Sequence, residues 1–258
     1  VSSLNSVIKY ILRHPLASKN KSFAIGRFIN WQLSQRLFPF PVVYTFVENS
    51  LLVVQKGMTG ATGNIYTGLL EFSEMAFVLH VLREQDLFAD IGANVGVFSI
   101  LASVNAGAKS IAIEPVPLTF SYLLRNIRIN DASDKITALQ IGIGDERDEI
   151  FFTSDMDTVN HVLTEEEKTL HVPAVKVAVD TIDQVFRNDC PALIKMDVEG
   201  FEWSALQGAK NSISNHVLKA IIIEINGSGS RYGITDDDIH LFLLDKGFKP
   251  YGYDPYSR

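Results

Sequence analysis

The sequence predicts an α/β chain: a doubly wound, mostly parallel sheet with helices on both faces, preceded by an N-terminal helical and hairpin extension. Three observations lead there. From residue 87 onward, short apolar runs of strand length alternate with helix-length segments, the signature of a parallel sheet covered on both faces. The first of these strands runs straight into a glycine turn that opens a helix. Ahead of them, helical periodicity and a hairpin pattern replace the alternation. A length of 258 residues suits one α/β domain with a modest extension, divided here into residues 1–80 and 81–258.

The elements follow in order. Val7, Ile8, Ile11 and Leu12, then Phe28, Ile29, Leu33 and Leu37, recur at helical spacing, with Pro15 at the break, so two amphipathic helices are expected. Residues 42–47 and 51–54 read as strands around the turn Glu48-Asn49-Ser50. The glycine- and threonine-rich stretch 57–68 reads as a mobile connector or a ligand-closing loop, the connector being preferred. Helical spacing resumes over 72–82. A strand (87–90), helix (95–105), strand (110–113), helix (118–130) and strand (136–143) then form a βαβαβ half. Strands over 149–152 and 172–179 flank an acidic insertion, 153–170. The alternation returns with a strand (193–196), helix (202–211), strand (218–225) and helix (236–246), and 248–253 reads as one further strand.

Composition narrows the function classes. Hydrophobic residues make up 47% and charged residues 21%, as in an ordinary globular chain. The single Cys190 forms no internal disulfide and belongs to no metal-binding cysteine cluster, which favours a reducing, cytoplasmic setting without zinc. No apolar run reaches membrane-spanning length. Net charge is −7, yet residues 1–47 carry Lys9, Arg13, Lys19, Lys21, Arg27 and Arg36 and no acid. Basic leading helices suit peripheral contact with anionic head groups or a solvated face. The acidic body argues against nucleic acid as a partner.

Ligands of such sheets bind beyond the carboxyl ends of the strands, so the residues after each strand carry the chemistry. The turn Asp90-Ile91-Gly92-Ala93-Asn94-Val95-Gly96 has glycines for a tight bend and for backbone approach. Asn94 and Val97 stand where a dinucleotide fingerprint has its second and third glycines, which argues against an NAD or nucleotide-sugar enzyme. S-adenosylmethionine has no phosphate and tolerates a side chain there, with Asp90 placed to meet a cationic amino-acid moiety. Glu114, 22 residues after Gly92, suits the two hydroxyls of an adenosine ribose. Asp145, after the third strand, is a candidate for the adenine amino group. Lys195-Met196-Asp197-Val198-Glu199-Gly200-Phe201-Glu202 concentrates charge at a strand mouth, where it must be paired or used. Glu224 lies between isoleucines, with Lys195 as its expected partner.

Together with Glu114-Pro115, the helix end at Asn126 to Asn130, Gly144-Asp145, Asp180-Thr181-Ile182-Asp183, Leu206 and Gly208-Ala209, these motifs resemble the FkbM-type methyltransferases over roughly residues 70–250. The resemblance implies a Rossmann-like, class I S-adenosylmethionine enzyme that methylates hydroxyls of sugars, glycolipids or natural products. It further implies that the Asp90 turn and Glu114 hold the cofactor, with Asp197, Glu199 and Glu202 near the methyl group and acceptor. Sheets of that class close with an antiparallel hairpin, of which this sequence carries at most one strand.

Transfer of a methyl group to a hydroxyl requires a base. Asp197 and Glu199 are candidates, with Lys195 orienting them. His161, in the acidic insertion after Asp155, Asp157 and Asn160, is the alternative. A hard cation held by Asp197, Glu199 and Glu202 is possible chemistry but not favoured over a metal-free site. A catalytically silent adenosine-binding scaffold remains the rival from another function class.

Overall fold

The computed structural model describes residues 4–154 and 160–257; Asp155 and Asp157 lie outside them. The amphipathic helix α1 (Leu4–Arg13) buries Ile11 completely. Pro15 breaks the helix into a short 3-10 turn, and Asn20 then starts α2 (Lys21–Leu37), its Oδ1 accepting from the Phe23 amide at 3.1 Å. Ala24, Phe28, Trp31 and Gln35, spaced for one helix face, are the buried residues of α2. Part of the basic charge here is used internally. Arg27 donates to the Tyr66 carbonyl at 2.7 Å, and the Lys19 ammonium sits 4.3 Å from the Tyr256 ring centre.

The expected hairpin forms from β1 (Val42–Thr45) and β2 (Leu51–Val54), paired antiparallel. The stretch read as a connector is instead a buried helix, α3 (Thr59–Thr67). Its two glycines lower helix propensity, but tertiary burial wins. Every residue from Ala61 to Thr67 is buried, and Asn64 ties both ends by donating to the Gly60 carbonyl and accepting from the Leu70 amide, each at 2.8 Å. Helix α4 (Phe72–Val81) follows.

The main sheet is all parallel, in the order β10 (Ala220–Ile223), β9 (Leu193–Met196), β3 (Leu87–Ile91), β4 (Lys109–Ile113) and β5 (Ile136–Leu139). Strand β3 (Leu87–Ile91) leads to α5 (Val97–Ile100), which continues as a π turn to Asn105. Then come β4 (Lys109–Ile113), α6 (Pro117–Ile129) and β5 (Ile136–Leu139). The third strand, expected as one piece, breaks: Gly142–Ile143 forms a separate β6. It leaves the main sheet to pair with β8 (Ala174–Asp180), which also pairs antiparallel with β7 (Asp148–Thr153). Helix α7 (Glu165–Thr169) lies in the insertion and α8 (Ile182–Val185) follows β8. Strand β9 (Leu193–Met196) returns beside β3, ahead of α9 (Glu202–Gln207), α10 (Lys210–Ile213), β10 (Ala220–Ile223) and α11 (Asp236–Asp245).

The helix expected over 202–211 divides at Gly208, where a Cβ would meet the Gly144 carbonyl oxygen at 2.0 Å. The strand expected over 248–253 is absent. Tyr253 folds back instead onto α4, edge to face with Phe77 and hydrogen-bonded to His80. Alternate residues of the strands feed two cores. Phe88, Ala112 and Leu193 pack with the extension and with α4, α5 and α6, while Ile91, Ile113, Ile194 and Met196 pack with α8, α9, α10 and α11. The winding reverses between β3 and β9, which opens a crevice beyond their carboxyl ends. Among the described residues, no helix is long and apolar enough to cross a membrane.

Candidate active site

The crevice is a cavity of about 530 Å³, within the usual range for small-molecule sites. The turn after β3 forms its floor. A Cβ on Gly92 (φ +77°) would lie 1.8 Å from the Asp197 carbonyl oxygen, so only glycine lets the β3 and β9 loops touch. Asn94 takes the left-handed conformation (φ +51°) and its amide donates to Glu114 Oε2 at 3.0 Å. Gly96 (φ +87°) caps the start of α5.

Glu114 is buried at the end of β4 and lines the cavity. Its other oxygen, Oε1, accepts from the Val116 amide at 2.9 Å. Burial pushes its carboxyl group up to about 7, against the pull of the two amides. Each oxygen keeps one acceptor position for a hydroxyl hydrogen.

Asp90 stands differently from its expected place. It is fully buried under the floor and does not line the cavity; Oδ2 accepts from Ser99 Oγ at 2.6 Å and Oδ1 has no hydrogen-bond partner. Burial raises its pKa. Asp145 is also outside. It is exposed and accepts from Ser204 Oγ at 2.6 Å, while the cavity wall beside it is apolar, made by Ile141, Gly142 and Ile143.

At the end of β9, buried Lys195 pairs with Asp197 at 2.9 Å and lies 4.9 Å from the Phe98 ring centre. Burial alone would lower its pKa, but Asp197, Asp90 and Glu71 together hold it above the ordinary value. The expected Lys195–Glu224 pair is therefore replaced by Lys195–Asp197. Glu224 is exposed at the cavity wall, and its Oε1 accepts from Asn226 Nδ2 at 3.1 Å.

Glu199 lines the cavity in a left-handed conformation (φ +53°), its carbonyl accepting from Arg231 at 2.9 Å. Burial, with repulsion from Asp197 and Glu224, pushes its carboxyl group up to about 7. Gly200 (φ +103°) completes this bend, where a Cβ would lie 2.6 Å from the Ser228 carbonyl oxygen. Glu202 does not join Asp197 and Glu199 in the cavity. It is buried below the loop, its Oε1 accepting from the amides of Val198 at 3.1 Å and Gly200 at 3.2 Å. Among the described residues, no group of three or more His, Cys, Asp or Glu is arranged to hold a metal ion.

His161 is buried in the insertion, bonded to Glu167 Oε1 at 2.9 Å, and is not part of the cavity wall; its neighbour Asn160 is. The residues that sequence reasoning missed come from the extension: Thr59, Gly60, Leu70, Glu71 and Met75 wall the cavity opposite the strand ends. Glu71 is the notable one, its carboxyl group pushed up to about 7 by burial. An acid directly before a helix and after a glycine-rich stretch was the available signal.

Residues 90–250 match the methyltransferase FkbM domain. The chain belongs to the FkbM methyltransferase family. It is an S-adenosylmethionine-dependent methyltransferase, and its glycine turn and the spare acceptor positions of Glu114 fit an adenosine ligand without phosphate. This FkbM methyltransferase is 27% identical over 209 residues to methyltransferase sdnD of Sordaria araneosa, covering 69% of this chain and 79% of that protein. It is 27% identical over 171 residues to the hexuronic acid methyltransferase AglP of Haloferax volcanii, covering 65% of each. It is similar to the solved FkbM methyltransferase of Methylobacillus flagellatus KT, with TM-score 0.45 and 22% identity over 75% of this chain. The chain spans about half, 49%, of that solved protein.

Proposed function

We propose that this FkbM methyltransferase transfers a methyl group to a hydroxyl oxygen of a sugar, glycolipid or natural-product acceptor. The observation that carries the reading is that Glu199 and Glu114 line one cavity, and that the Glu199 carboxyl group, near 7, makes no hydrogen bond or salt bridge among the described residues. A hydroxyl must lose its proton as it is methylated, and an uncommitted carboxylate titrating near neutrality suits that task. S-adenosylmethionine supplies an electrophilic methyl group on a sulfonium. Glu114 accepts the ribose hydroxyls, and the apolar wall of Ile113, Ile141 and Ile143 suits the adenine. The Lys195–Asp197 pair fixes the loop that carries Glu199, and Asp90 holds Ser99 and adds negative charge around Lys195 from below. A sugar acceptor has support from the hexuronic acid methyltransferase relative.

Calorimetric titration with S-adenosylmethionine and S-adenosylhomocysteine tests the cofactor half, with Glu114→Ala as the control. S-adenosylhomocysteine release across hydroxylated glycans and glycolipids, with and without a chelator, tests the acceptor half. Binding lost in Glu114→Ala and release with a hydroxyl acceptor are expected. Binding without release from any acceptor would favour a silent scaffold, and loss of release with the chelator would bring in a metal.

A further inference from the structure

The acid that ends β3 does not reach the cavity, so another group must meet the ammonium of the cofactor's amino-acid arm. An ammonium entering a cavity loses water and needs a charged or carbonyl acceptor in return. The carboxylates of the wall differ in what they have free. Glu114 holds two backbone amides at the β4 end, Asp197 is paired with Lys195 at 2.9 Å, and Glu224 is exposed and bonded to Asn226. The Glu199 side chain is free among the described residues, Arg231 being held by its backbone carbonyl, but it is the group proposed above to take the acceptor's proton. Glu71, at the corner between α3 and α4, makes no side-chain hydrogen bond or salt bridge among the described residues. It lines the same cavity as Gly92, Glu114, Lys195 and Asp197, and the charges that act on it are those of Lys195, Asp197, Glu224 and Glu74.

We propose that Glu71 is the anchor for the α-ammonium group of S-adenosylmethionine, so that the N-terminal extension supplies part of the cofactor site. Glu71 lies outside residues 90–250, the part that matches the family. The inference rests on the reading of this cavity as the cofactor site. Burial favours the protonated carboxyl group, and an incoming cation favours the ionised one, so ligand binding ionises Glu71 and releases a proton.

The test is calorimetry on the full chain with S-adenosylhomocysteine and with 5′-methylthioadenosine, which keeps the adenosine and sulfur but lacks the amino-acid arm. Glu71→Gln is expected to weaken S-adenosylhomocysteine about ten-fold or more, the loss of a hydrogen bond to a charged group, and to leave 5′-methylthioadenosine within about two-fold. Glu71→Asp should retain more affinity than Glu71→Gln. In wild type at pH 6.5, the heat of S-adenosylhomocysteine binding should vary with the buffer's ionisation enthalpy, and Glu71→Gln should reduce that variation. Equal losses for both ligands, or no loss for either, overturn the proposal. If wild type binds neither ligand, the reading of the cavity as the cofactor site fails first, and Glu114→Ala will then show no effect.

Discussion

The backbone of Gly92 touches the backbone of Asp197: a Cβ on Gly92 would stand 1.8 Å from the Asp197 carbonyl oxygen, and the Asp197 amide donates to the Ile91 carbonyl at 3.0 Å. The glycine turn after β3 and the loop bearing the acids are therefore one joined unit. Gly92→Ala forces these loops apart and also strains a φ of +77°. The expected loss is about 2–4 kcal/mol of stability, combining overpacking with left-handed strain. Urea unfolding reads the stability, and calorimetry should find S-adenosylhomocysteine binding lost in protein that still folds.

Lys195 is the buried cation that balances Asp197 and Asp90. Lys195→Met keeps the length of the side chain but leaves Asp197 unpaired and Asp90 without its balancing charge. Removing one partner of a buried pair typically costs about 3–5 kcal/mol. Adding Asp197→Asn should recover part of that loss, because the uncompensated charge is gone. Urea midpoints of the two single variants and the double variant measure this, and strictly additive losses would contradict the pairing.

The sequence made the sheet legible because β3, β4, β9 and β10 are short, largely apolar runs, three of them followed directly by an acid (Glu114, Asp197, Glu224) and the first by the Gly92 turn. It made Asp197 and Glu199 legible as wall residues for the same reason. Three things were hidden. Helix α3 carries two glycines, so local propensity spoke against a helix that only tertiary burial sustains. Asp90 and Glu202 read like ligand-facing acids, but a carboxylate's direction depends on neighbours distant in sequence, here Ser99 for Asp90 and the Val198 and Gly200 amides for Glu202. Glu71 stands directly before α4, a signal for an acid at a helix start, but only tertiary packing decides that this end of α4 faces the strand ends.

Burial also gives these acids a pH signature. The carboxyl groups of Glu71, Glu114 and Glu199 are raised from 4.5 to about 7 in the fold. The folded state then holds protons that the unfolded state has already lost, so their contribution is fully present below about 4.5 and lost as pH rises through about 7. Glu71→Gln removes one such group. Its urea midpoint relative to wild type should be higher at pH 8 than at pH 5. Asp180, lowered by its hydrogen bonds to Arg147, follows the opposite sign in both proteins and cancels in the comparison.

Glu199 and His161 make opposite predictions for the rate. If Glu199 takes the acceptor's proton, it must be ionised first, so kcat/KM should rise about ten-fold per pH unit below 7 and level off above it. Glu199→Gln should then lower kcat by about 10²–10⁴-fold and flatten that rise, with S-adenosylhomocysteine affinity little changed. His161 is 4% exposed and bonded to Glu167, whose other oxygen accepts from the Thr164 amide at 2.9 Å. His161→Ala should therefore loosen the insertion and lower stability by about 0.5–1.5 kcal/mol, the net worth of a hydrogen bond to the partly exposed Glu167, while leaving the pH dependence of the rate in place. A rate profile that disappears in His161→Ala and survives in Glu199→Gln would transfer the base to the histidine, and the insertion would then have to close over the cavity during turnover.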